Sequence, residues 1–166
     1  MKRETAQAKK DRIIAGLVEA RRAILDAATS LPRAKRDRVF LGVWSAADLL
    51  AHLVGWDVAN LQAARDILAG NVPAFFSRYD ADWKTYNARL VKKHKRGSFA
   101  EMVASVERSH RKLIGLLETI PADEFGKDRG LRTPRGAKVI LTRILQAEID
   151  DEKVHARQLE DFVRLA

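Results

Sequence analysis

Four ionisable side chains in this sequence have the types and spacing to meet at one point. Glu148, Asp151 and His155 are separated by three and four residues, so a helix would carry them one above another on a single face. His52 stands apart, in the apolar stretch Leu49-Leu-Ala-His-Leu-Val54. Carboxylate and imidazole groups one turn apart offer oxygen and nitrogen donors to one centre. His52, Asp151 and His155 together would hold a divalent metal ion and leave positions open for water or substrate, a donor set that suits Zn, Ni, Fe or Mn. Glu148, one turn from Asp151, would then be a general base or a further ligand. The competing reading is structural: the acids pair with some of the chain's many arginines.

The elements that must position these groups follow from the surrounding pattern. Ser45 is a good N-cap, and Asp48 three residues on makes a capping box with a short acid. The helix that starts there runs to about Ala69, where Gly70-Asn71 stops it, and it puts His52 and Trp56 on one face. In the last helix, Ala137, Leu141 and Ile144 precede the acids and Leu159 and Phe162 follow His155. One four–three seam through all of them makes Glu148, Asp151 and His155 core-facing. Thr133-Pro134 predicts the start of this helix, with Pro at its first position, and its end falls at about Val163.

The remaining long helices are read the same way. Ile13, Leu17, Ala20, Ile24, Ala27 and Leu31 form the stripe of a first helix over about 4–29, closed by Pro32, and Arg12, Glu19, Arg22 and Asp26 fall off that stripe. Ser98 and Glu101 form a capping box that opens a helix with the seam Phe99, Val103, Val106, His110, Leu113, Leu117 and Ile120, closed by Pro121. The stretches from Pro32 to Trp44 and from Asp123 to Arg132 read as loops. Between the second and third long helices lie Phe75, Phe76, Tyr79, Trp83 and Tyr86, with a short helix from about Asp80. These aromatics either cover one end of the core or wall a ligand pocket. In the second case Trp56, Trp83 and Tyr86 contact substrate and His110 is an added polar group, although a seam histidine also fits a hydrogen-bonded core position. The expected fold is an all-α, up-down four-helix bundle with a short extra helix in the helix 2–3 connection, one domain over residues 1–166.

Composition narrows the chemistry. There is no Cys, which excludes a disulfide framework, a thiolate zinc site and a cysteine nucleophile. No apolar run approaches the roughly 20 residues of a membrane span, and the charged N-terminus has no signal-peptide core behind it, so a cytoplasmic location is expected. The net charge of +9 raises nucleic acid as a partner. The basic residues are dispersed among 22 acids, however, and concentrate only at Arg33–Arg38 and Lys92–Arg96. Nucleic acid is therefore set aside in favour of a small-molecule substrate or ligand, and a homodimer through an outer face is left open.

Trp44-Ser45…Asp48-Leu-Leu-Ala-His52-Leu…Gly55-Trp56 resembles the second-helix signature of the DinB/YfiT-like four-helix bundles. Val72-Pro73…Phe76…Trp83…Tyr86-Asn87 resembles the insert, and Asp150-Asp151-Glu152…His155…Gln158-Leu159 the last helix, of the branch that includes DfsB and colibactin self-resistance proteins. The resemblance implies a metal bound by one histidine of the second helix and an i, i+4 histidine pair of the last. His52 and His155 match the outer two, and Asp151 stands at the middle position, which favours a harder ion. It also implies thiol transfer, hydrolysis or ring opening of a genotoxic metabolite, and so a detoxification or self-resistance role.

Overall fold

The computed structural model describes residues 4–165. Met1–Arg3, part of the charged start behind the cytoplasmic expectation, and Ala166 lie outside the described residues. The order is α1 (Ala6–Ser30), a hairpin of β1 (Val39–Leu41) and β2 (Trp44–Ser45), α2 (Ala46–Leu68), α3 (Phe75–Tyr79), α4 (Trp83–His94), α5 (Phe99–Thr119) and α6 (Leu141–Arg164). Among the described residues the fold is all-α apart from that antiparallel hairpin, and no helix is long and apolar enough to cross a membrane.

The capping chemistry sets the helix starts. Ser45 and Asp48 cap α2 reciprocally, as Ser98 and Glu101 cap α5. Asp48 also accepts a hydrogen bond from Lys95 at 2.8 Å, which pins the end of α4 to the start of α2. Gly55 lets α4 approach closely: a Cβ there would lie 2.8 Å from Leu90 Cβ.

The bundle is formed by α1, α2, α5 and α6, with α1 against α6 and α2 against α5. Residue numbers rise together across both pairs. Arg12 meets Gln146 and Arg21 meets Glu152, while Asp57 meets Ser109. The chain therefore runs up, down, down, up, and differs from simple alternation because α4 carries it back along α2 before α5 begins.

The apolar core divides into two clusters at the two ends of the bundle. One contains Ile24, Leu49, Leu53, Val106 and Leu159, the other Ile13, Leu17, Ile67, Leu113 and Leu145. Between them every long helix contributes polar groups: Arg21 from α1, Asp57 and Asn60 from α2, Ser109 and His110 from α5, Glu152 from α6. This polar belt is the level at which the site is built.

Three sequence expectations change. The last helix starts at Leu141 rather than at Thr133-Pro134, because Thr133–Gly136 closes a turn in which Gly136 N–H donates to Thr133 O and Thr133 Oγ1 accepts from Ala137. Gly136 adopts φ +81°, a conformation open to glycine and unfit for a helix. The Pro32–Trp44 stretch contains a 3-10 turn and the hairpin, and Asp123–Arg132 overlaps a second 3-10 turn that buries Phe125 fully. The insert holds two helices, α3 and α4, in place of one starting near Asp80.

Candidate metal centre and its cleft

α2 and α6 bring His52, Asp151 and His155 together. One donor atom from each of the three lies within 4.8 Å of the others. Asp151 Oδ2 is 3.3 Å from His155 Nε2 and 3.8 Å from His52 Nε2, and the two imidazole rings stand edge to face with centroids 5.4 Å apart. His155 Nδ1 is 2.9 Å from Gln158 Oε1, an acceptor that holds the proton on Nδ1 and turns Nε2 toward Asp151. His52 is buried against Trp44, with ring centroids 4.8 Å apart.

The protonation states of the trio mean that ligation would release a proton, since His155 favours its charged form. Burial disfavours the charged form of His52 and pulls its pKa down, so it is a neutral donor. Burial opposes ionisation of Asp151, but the adjacent imidazoles of His155 and His52 outweigh it and hold the carboxyl well below the usual range. Burial likewise works against a charged His155, and the hydrogen bond with Asp151 and its charge prevail, raising the pKa. In ligand type, separation and second-neighbour support the trio fits a divalent ion with open coordination positions.

Asp151 is half exposed, 53% by side chain, and does not face the core as the seam predicted. It lies at the edge of α6, where it lines a cleft of about 500 Å³ with His52, Trp56, Asn60, Trp83 and Glu148. Phe75, Phe76 and Tyr79 of α3 complete the aromatic wall. Glu148 is buried and accepts a hydrogen bond from Asn60 Nδ2 at 3.0 Å. Burial, reinforced by the negative charge of Glu152, raises its pKa well above that of an ordinary glutamate.

Two expected substrate contacts fall elsewhere. Tyr86 packs behind Trp56, with centroids 5.5 Å apart, and lines a neighbouring groove. His110 belongs to the polar belt, 3.8 Å from Asp57, and does not line the cleft. The helical phase of α5 turns it toward Asp57.

Sequence reading passed over Arg21, Asp57, Asn60 and Glu152. Arg21 is fully enclosed and makes two hydrogen bonds to each carboxylate, at 2.7 and 2.9 Å to Asp57 and 2.6 and 3.0 Å to Glu152. The α6 acid paired with arginine is thus Glu152, not the cleft-facing Asp151. A signal existed: Leu53, Asp57, Asn60 and Ala64 run at four–three–four spacing, and so do Ile149, Glu152 and Ala156 at three–four. Each set is an apolar stripe interrupted by polar side chains.

Comparison with known proteins agrees with this architecture. No curated protein matches the chain in sequence. Two crystal structures share the fold. One is of the colibactin self-resistance protein ClbS in complex with a dsDNA, at 15% identity and TM-score 0.74, covering 93% of this chain and 94% of that one. The other is of an uncharacterised protein from Escherichia coli UTI89, at 11% identity and TM-score 0.69, covering 93% and 92%. The family model of the DinB superfamily matches residues 17–159, and the chain belongs to that superfamily.

Proposed function

We propose that the protein is a metal-dependent small-molecule hydrolase or transferase with a detoxification or self-resistance role. The observation that carries this reading is the His52–Asp151–His155 trio at the edge of an aromatic cleft. A divalent ion held there supplies Lewis acidity toward a substrate bond or bound water. His52 and His155 present imidazole nitrogens from two facing helices, Asp151 adds a carboxylate, and the aromatic wall excludes water from an apolar substrate. Glu148, with its raised pKa and its place in the cleft wall, is suited to exchange a proton with a bound substrate or water. The colibactin self-resistance protein, which shares the fold, supports the detoxification class.

Elemental analysis after reconstitution with Zn, Ni, Fe or Mn tests the reading. About one equivalent of metal is expected in wild type, and His52→Ala and His155→Ala should each lower affinity at least 100-fold by removing one of three ligands. Wild type without stoichiometric metal would overturn the metalloenzyme. Ligand binding without turnover, undiminished in both variants, would identify a sequestering protein.

A second reading, nucleic-acid association, gains from one observation. The two basic runs converge at one end of the bundle: Arg36 stacks over Phe99 at 4.6 Å, just beyond Arg96, and Lys95 is bound to Asp48 near the hairpin. The fold is also that of a protein crystallised with dsDNA, which removes the ground for setting nucleic acid aside. On this reading duplex affinity falls steeply between 50 and 200 mM salt, and neutralising Lys92, Lys93 and Arg96 flattens that slope. Affinity unaffected by those changes would dismiss it.

A further inference from the structure

Asn60 is only 1% exposed and yet belongs to the cleft wall. Its Nδ2 is committed to Glu148 Oε2, and its Oδ1 is enclosed without a hydrogen-bond partner among the described residues. A buried carbonyl oxygen without a donor costs free energy that native proteins ordinarily avoid. Here the uncompensated lone pairs belong to a residue of the cleft wall.

A complementary group lies next to Trp56. The indole N–H donates to Asn87 Oδ1 at 3.1 Å. Because an indole nitrogen can only donate, this bond fixes the Asn87 carboxamide with its Nδ2 turned away from Trp56. Asn87 also lines the cleft, and its Nδ2 makes no hydrogen bond among the described residues. The cleft thus offers one fixed acceptor and one fixed donor beside an aromatic wall of Trp56, Phe76, Tyr79 and Trp83.

We propose that Asn60 and Asn87 are specificity-determining residues for an aromatic amide. The N–H of the ligand donates to Asn60 Oδ1, its carbonyl accepts from Asn87 Nδ2, and its ring system lies against the aromatic wall. The inference rests on the cleft being a small-molecule site, as proposed above, and is independent of the metal. An apolar pocket with a few fixed polar groups discriminates ligands chiefly through those groups, and a site that hydrogen-bonds an N–H rejects the analogue lacking it because its own acceptor is left bare.

The test uses metal-free full-length protein and two matched probes, 2-naphthamide and methyl 2-naphthoate, with binding read from quenching of tryptophan fluorescence. Both carry the ring and the carbonyl, and the ester lacks the N–H. Wild type should bind the amide about tenfold more tightly, the scale of one net hydrogen bond. Asn60→Ala should abolish that preference while keeping affinity for the ester. Asn87→Ala should weaken both probes together, since both have a carbonyl. Equal affinity of wild type for the two probes, an unchanged preference in Asn60→Ala, or no binding of either at millimolar concentration would overturn the proposal. Amide preference together with failure to take up metal on reconstitution would sink the metalloenzyme reading and leave this one standing. Stoichiometric metal with no amide preference would do the reverse.

Discussion

Arg21→Met should destabilise the fold by about 3–5 kcal/mol, the scale for removing one partner of a buried ion pair. Arg21 lies between two enclosed carboxylates, Asp57 and Glu152, and is paired with both. Methionine fills much of the same volume, so the loss comes from leaving two negative charges in the middle of the bundle rather than from a cavity. Burial would by itself suppress the charge of Arg21, but Glu152 and Asp57 reverse this and raise its pKa, so the group stays charged at every accessible pH. Burial also opposes ionisation of Asp57, yet the Arg21 charge prevails and its pKa is depressed. Folding therefore favours the ionised Asp57. That contribution is present above the unfolded value, about 3.9, and is lost as pH falls through the lower folded value. Chemical denaturation at pH 7 measures the loss, and a change below about 1 kcal/mol would show that the belt is not held by this cation. Converting the triad together, as Arg21→Met with Asp57→Leu and Glu152→Leu, should recover most of the stability.

The same belt explains what could and could not be read from the sequence. The stripe of α1, the reciprocal caps of α2 and α5 and the part of the α5 seam at Val106, Leu113 and Leu117 are local patterns, and the structure reproduces them; in the first turns of α5 Met102 is buried while Phe99 and Val103 are only partly so. His52 and His155 are found on facing helices because each side chain interrupts an apolar seam that fixes its direction. Arg21 was concealed because it follows Ala20, whose own stripe accounts for the helix, and only the partner carboxylates from α2 and α6 make its burial tolerable. Those partners are 36 and 131 residues away, beyond any local pattern. Asp151 was assigned to the core because a four–three seam has a freedom of one residue. The buried set Leu145, Ile149, Glu152, Ala156 and Leu159 shows that the true core line lies one position further on, which leaves Asp151 at the cleft. The start of α6 was misplaced because Thr133-Pro134 fits a turn as well as a helix entry. A bridge from Arg132 to Lys138 selects the turn.

Glu148→Gln should lower turnover by about 10²–10⁴-fold, the range for loss of a general base, and at the same time make the protein more stable at alkaline pH. Both effects arise from one feature. Burial and the neighbouring Glu152 carboxylate push the pKa of Glu148 up, so the folded protein holds its proton to a higher pH than the unfolded chain does. For an acid with a raised folded pKa, ionisation favours unfolding. Stability therefore declines once pH exceeds the unfolded value, about 4.3, and the decline stops only when the folded group has ionised as well. Glutamine has no proton to lose, and it keeps an oxygen for Asn60 Nδ2, which now donates to Glu148 Oε2. Wild type and variant should unfold at similar temperatures near pH 4, with the variant the more stable at pH 8. The pH–rate profile of the wild type should carry an acidic limb, activity falling as pH drops through the pKa of this group, and the residual activity of the variant should lack it. A variant less stable than wild type at pH 8 would mean that Glu148 is held ionised by a partner, whereas full activity would remove it from the chemistry. The expected pairing of lost turnover with gained stability is the signature of a group kept in the cleft for reactivity at the expense of the fold.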